Sequence, residues 1–108
     1  MEALAVEGLP EIRAGDDLAD LVSSCVDFED GDVLCIASTV VSKAEGRKAD
    51  LSAFPPSERA EAIADRLESV TGEPKDPRFA QAVIEESEEL LTEAPFVLSV
   101  TQFGHVTV

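Results

Sequence analysis

Ser38, Thr39 and Lys43 are the residues of this 108-residue chain whose types and spacing best fit a chemical task. Ser38-Thr39 directly follows the apolar run Val33-Leu34-Cys35-Ile36-Ala37, which has the length and continuity of a central strand. In α/β sheets, ligands gather at the carboxyl ends of strands. Hydroxyls and free backbone N–H groups at the start of a following helix hold phosphate. Lys43 lies close to one helical turn beyond Thr39, so its ammonium can face the same anion. The cluster Lys43, Arg47 and Lys48 holds three of the eight cationic residues in a chain of net charge −15. Two readings stay open: an anionic ligand, or solvated pairing with Glu45, Asp50 and their neighbours.

Other residues offer less. Gly8-Leu9-Pro10-Glu11-Ile12 is a stiff loop that either lines a pocket or simply connects a strand to a helix. His105, the single histidine, has no Cys or second His beside it and reads as a strand residue with a satisfied ring. Glu85, Glu86, Glu88 and Glu89 read as a solvated helix face rather than a metal site. Cys25 and Cys35 sit in apolar contexts without zinc-type spacing and read as small buried thiols. No Gly-rich P-loop, GxGxxG or GxSxG is present.

The elements that must position these residues follow from periodicity. Residues 3–6 and 33–37 read as strands, and residues 17–26 as an amphipathic helix begun by Gly15-Asp16-Asp17. A short helix or turn is expected over residues 40–48, then a brief extended stretch at 49–51. Ser57 caps a helix whose stripe is Ala60, Ile63, Ala64, Leu67 and Val70, ended by Gly72. Residues 78–91 read as a third helix. Residues 96–100 and 102–108 read as a hairpin turning near Phe103-Gly104. The fold class is mixed α/β in one domain. A strand pattern still running at Val108 predicts that residues 1–108 are the front part of something longer.

Composition narrows the partners. Asp plus Glu number 23 against 8 Lys plus Arg. Such a field disfavours nucleic acid and anionic membranes. The acid is spread along the chain, which points to a fold built for high salt, where self-repulsion is screened; an ordinary acidic domain is the alternative. No basic n-region or apolar h-region opens the chain, so a cytoplasmic location is expected.

The ordered motifs resemble coenzyme F420-0:γ-glutamyl ligases. Gly8-Leu9-Pro10-Glu11-Ile12 with Gly15-Asp16-Asp17-Leu18 is similar to the family's N-terminal stretch. Asp30-Gly31-Asp32-Val33-Leu34 and then Ser38-Thr39-Val40-Val41-Ser42-Lys43-Ala44-Glu45-Gly46-Arg47 is more specific, with Ser-Lys-Ala-Glu-Gly as the marker. Pro56-Ser57-Glu58-Arg59-Ala60, Lys75-Asp76-Pro77-Arg78 and Thr101-Gln102-Phe103-Gly104-His105-Val106 follow in order.

The resemblance implies an incomplete N-terminal portion of that ligase fold, and together with the acid coat it points to a halophilic archaeon as the source. It implies an enzyme of coenzyme F420 biosynthesis that uses GTP to activate a carboxylate as an acyl phosphate. The amine of L-glutamate then attacks, giving a γ-linked glutamyl tail on coenzyme F420-0. Mg or Mn supports the transfer, with K as a further cation, and the full-length protein is a homodimer. Leu9, Pro10, Glu11 and Ile12 match the first nucleotide contact, Ser38 and Thr39 the second, and Lys43 the third. The Asn-Ala-Gly-Ile/Val-Asp motif that carries a metal-binding Asp is absent from these residues, so no metal ligand is expected within the chain. The alternative is a non-catalytic GTP-binding or subunit-association module.

Overall fold

A computed structural model describes all 108 residues, which divide into two compact units, Met1–Lys48 and Ala49–Val108. Each is built from its own local signals.

In the first unit, helix α1 spans Leu18–Ser23. It starts where it does because the Asp17 carboxylate accepts from the amides of Ala19 and Asp20 at 3.0 and 3.1 Å, satisfying two of the helix's orphan donors. The predicted helix over 17–26 is therefore present but shorter. Helix α2 spans Ser38–Ala44, within and just ahead of the expected 40–48 segment. Val22, 6% exposed, is the one buried hydrophobic residue of this unit.

Neither strand expected in the first unit forms. Residues 3–6 and 33–37 have no ladder partner, and a strand exists only by pairing its N–H and C=O groups. Val33, Leu34 and Ile36 are exposed at 85, 41 and 42%, so the most apolar run of the unit is not its core. Cys35, carried on that run, is exposed too, and Cys25 is half-buried. Both thiols are free, which corrects the reading of two buried cysteines.

The second unit opens with Asp50 extended at φ −86° and ψ 138°, inside the stretch expected at 49–51, and a single 3₁₀ turn, Leu51–Ala53, follows at once. Helix α3 spans Glu58–Thr71 and matches its sequence signals at both ends. Ser57 Oγ accepts from the Ala60 amide at 3.2 Å, and Gly72 closes the helix in the left-handed region at φ 74°. Helix α4 spans Pro77–Glu86, with Asp76 capping the Arg78 amide at 2.9 Å and Pro77 in the first turn.

The third helix was expected to reach Leu91 but stops at Glu86, and residues Ser87–Thr92 form strand β1 instead. Two effects end it. Ser87 Oγ turns back onto the Val83 carbonyl, a local bond that competes with helix propagation. A continued helix would also stack Glu85 against Glu88 and Glu89, like charges at three- and four-residue spacing.

β1 pairs antiparallel with β2, Leu98–Thr101, and β2 with β3, Val106–Thr107, in the order β1-β2-β3. Leu90 lies opposite Ser99 and Val100 opposite Val106. The hairpin after β2 turns through Gly104 as expected, though its strands are shorter than residues 96–100 and 102–108. The Ala94–Pro95 bond between β1 and β2 is cis. The core of this unit is Ala60, Ile63 and Ala80, with Leu67, Ile84, Leu90 and Val97 packed against it. Ala60 of α3 and Ala80 of α4 meet in this core, and Leu90 of β1 and Val97, just ahead of β2, pack against it. The observed class is mixed α/β.

Candidate nucleotide-facing site

All seven residues singled out from the sequence belong to the first unit. Leu9, Pro10, Glu11 and Ile12 form an irregular loop; Ile12 is half-buried and the other three are exposed. Ser38 and Thr39 are the first two residues of α2, and Lys43 is in its last turn. Thr39 and Lys43 are one turn apart on one helix face. The N-terminal neighbour of α2 is Ala37, which supplies no side-chain cap. Ser38, Thr39 and Lys43 are exposed, and their side chains engage no protein partner. Lys43 does not pair with Glu45, whereas Arg47 of the same cluster is engaged, so the solvated alternative fails for Lys43 and not for the cluster as a whole.

The turn that follows the 9–12 loop is fastened to the C-terminal end of α2, and sequence spacing did not single out that fastening. The loop runs into a tight turn in which the Arg13 amide donates to Asp16 Oδ2 at 2.7 Å and the Asp16 amide donates to the Arg13 carbonyl at 3.1 Å. Inside that turn, the Gly15 amide donates to the Ala44 carbonyl at 2.8 Å. That carbonyl is available because of how α2 ends. Arg47 N–H bonds Ser42 O at 2.7 Å and Gly46 N–H bonds Lys43 O at 3.0 Å, the paired bonds of a Schellman cap. Gly46 is left-handed at φ 71°, and a Cβ there would lie 3.4 Å from the Ala14 Cβ. At the loop's other end, a Cβ on Gly8 would stand 4.0 Å from Cys25 Sγ. Gly15 and Gly46 are both at positive φ, as are the other four glycines of the chain, so their residue type alone does not single out this pair.

Several side chains do not gather into a site. No group of three or more His, Cys, Asp or Glu converges as metal ligands. His105 is exposed, and only its backbone is engaged, bonding Thr101 at both N–H and C=O; its ring is not the satisfied strand residue expected. In the second unit, an open pocket of about 230 Å³ is lined by Arg59, Ile84, Ser87, Glu88, Glu89 and Leu90. Its one cation, Arg59, is already held by Glu93 at 2.8 Å. The perturbed acids are Asp50 and Asp76, both held below the ordinary carboxylate value: Asp50 by hydrogen bonds from Ser52, Asp76 by hydrogen bonds from Arg78. No helix is long and apolar enough to cross a membrane.

Comparison with known proteins gives the motifs a family. Residues 8–108 match the model of the F420-0:Gamma-glutamyl ligase family. The chain is 75% identical over its full length to the coenzyme F420:L-glutamate ligase of Natronomonas pharaonis, covering 43% of that protein. It is 68% identical to the ligase of the same name from Halorubrum lacusprofundi, again across the whole chain and 43% of the relative. The corresponding protein of Archaeoglobus fulgidus is 56% identical, with 41% of its length covered. The chain thus spans less than half the length of these relatives. A match over residues 8–108, carrying the loop, α2 and the whole second unit, places the chain in the F420-0:Gamma-glutamyl ligase family.

Proposed function

We propose that the chain supplies the nucleotide-facing part of a GTP-dependent ligase that adds L-glutamate in γ-linkage to coenzyme F420-0. The observation that carries this reading is the placement of Thr39 and Lys43 one turn apart on α2, unpaired, in a chain of net charge −15. A free ammonium in such a field is well suited to a polyphosphate. Lys43 neutralises charge on the phosphates, Ser38 and Thr39 donate hydroxyl hydrogen bonds, and Leu9, Pro10, Glu11 and Ile12 hold the nucleotide from the loop side.

In the reaction, a carboxylate oxygen of F420-0 attacks the γ-phosphorus as its bond to the GDP oxygen breaks. The glutamate amine then attacks the acyl carbon, loses a proton, and inorganic phosphate leaves. Lys43 opposes the negative charge that accumulates on the transferring phosphoryl oxygens. The chain's carboxylates do not fit a metal centre, since no three of them converge. Mg or Mn, and K, enter in this reading with the nucleotide and the remainder of the ligase. The homodimer likewise belongs to the longer protein.

A second reading is a module that binds GTP or a partner subunit without turnover of its own. One experiment addresses both. Calorimetric titration of GTP in molar KCl with Mn present should give binding that Lys43→Ala weakens about tenfold or more, the loss of one charge-assisted hydrogen bond. Glutamate-dependent GDP release by the same preparation separates ligase from module. Equal GTP binding by the wild type and the Lys43→Ala variant would remove the site from α2.

A further inference from the structure

We infer that Ala14, Gly15 and Gly46 form a positioning clasp that sets the spacing between the 9–12 loop and α2. The inference rests on the nucleotide-site reading above and assigns residues that touch no nucleotide themselves.

The argument starts from the end of α2. A helix leaves its last four carbonyls without intrahelical partners. Here the Schellman cap takes two of them: the Ser42 carbonyl accepts from Arg47 and the Lys43 carbonyl from Gly46. The Val41 carbonyl accepts from the Glu45 amide at 2.9 Å. The Ala44 carbonyl remains, and its donor comes from outside the helix, as the Gly15 amide at 2.8 Å. The last turn of α2, which carries Lys43, is thereby fastened to the turn that begins at Arg13, immediately after Ile12.

The fastening is close because both sides are trimmed. Gly15 is at φ 89° and Gly46 at φ 71°, conformations that favour glycine. At Gly46 a side chain would also meet the Ala14 Cβ at 3.4 Å, the near edge of van der Waals contact, so the added methyl would fill the space between the two segments. Gly72, the left-handed cap of α3, has nothing within 4 Å of its imagined Cβ. Of these two helix-ending glycines, only Gly46 carries a spatial constraint as well as a conformational one. A residue needed only to end a helix would resemble Gly72.

The test is GTP titration of the full-length ligase polypeptide bearing this segment, with thermal unfolding measured alongside. Gly46→Ala is expected to weaken GTP binding about tenfold and to raise KM for GTP more than it lowers kcat. Gly72→Ala, which imposes the same backbone cost without the contact, should lower Tm comparably and leave GTP affinity within about twofold. Adding Ala14→Gly to Gly46→Ala should recover about threefold of the lost affinity by removing the opposing methyl. Should Gly46→Ala fold poorly, Ala14→Val presses on the same contact from the other side and should weaken binding by about threefold. If neither Gly46→Ala nor Ala14→Val changes affinity while Lys43→Ala does, the clasp is overturned and the nucleotide site stands. If Lys43→Ala also has no effect, the nucleotide-site reading fails and the clasp with it.

Discussion

Gln81 Oε1 accepts two hydrogen bonds from Ser57, one from its amide at 3.1 Å and one from its hydroxyl at 2.7 Å. The same hydroxyl accepts from the Ala60 amide, so the cap of α3 is held in place by a side chain of α4. The Gln81 amide group in turn donates to Glu85 at 2.9 Å. Ser57→Ala should cost about 1 kcal/mol, the usual loss for a cap, and Gln81→Ala a similar amount. Because the two share one network, a double-mutant cycle by denaturant unfolding should show coupling of at least about 0.5 kcal/mol. Additive losses would mean that the cap does not depend on its buttress.

Ile63 is 3% exposed at the centre of the second unit, between Ala60 and Ala80. Ile63→Ala should destabilise by about 2–5 kcal/mol, the range for truncating a buried aliphatic side chain. Ile63→Val should cost about 1 kcal/mol. Urea unfolding followed by circular dichroism measures both. Equal losses would indicate that the site collapses around either cavity.

Asp76 bonds Arg78 through both carboxylate oxygens, the shortest contact being 2.7 Å, and also caps α4. Those bonds hold its carboxyl below the ordinary value, and they raise the Arg78 guanidinium correspondingly. A carboxylate with a lowered folded pKa contributes stability that is present above its unfolded value. That contribution is lost as pH falls from about 4 through the lowered value. The acid limb of the Tm-against-pH curve should therefore flatten in Asp76→Asn. An unchanged acid limb would assign the pH dependence to other acids.

With 23 acidic against 8 basic residues, self-repulsion acts across the whole chain. The Debye length shrinks from about 10 Å at 0.1 M salt to about 3 Å at 1 M. Tm should rise by about 5 °C or more between roughly 0.1 and 2 M KCl, equivalent to about 1 kcal/mol for a chain of this size. A flat response would mean that the acid coat costs little folding stability.

Legibility in the sequence followed the range of the interaction. α3 was read well, because cap, stripe and terminating glycine are all local: Ser57, then Ala60, Ile63, Ala64 and Leu67, then Gly72; Val70, expected in the same stripe, is 56% exposed in the last turn. The helix start at Asp17 was equally plain. The run at residues 33–37 misled, since its composition suits a central strand but nothing in its own residues can supply the neighbouring ladder. The switch at Ser87 was missed because no Gly or Pro marks it, and the repulsion among the glutamates and the serine back-bond act there instead. At the candidate site, the resemblance in motif order points to Leu9, Pro10, Glu11, Ile12, Ser38, Thr39 and Lys43 as the residues to test. The bond from Gly15 to Ala44 is a relation between two backbones, which side-chain identities do not spell out.

Ser87 both ends α4 and begins β1, with no connecting residue between them. This leaves no place for a change of length. An insertion there would shift Leu90 off its position opposite Ser99 and out of the Ile63 core, while turning Gln81 away from Ser57 if the helix absorbed it. Across related ligases, gains and losses of residues in this region should therefore fall in the stretches at 72–76 and 93–97, where turns and loops can take up slack. The junction at 86–87 should keep a fixed count even where its residues differ.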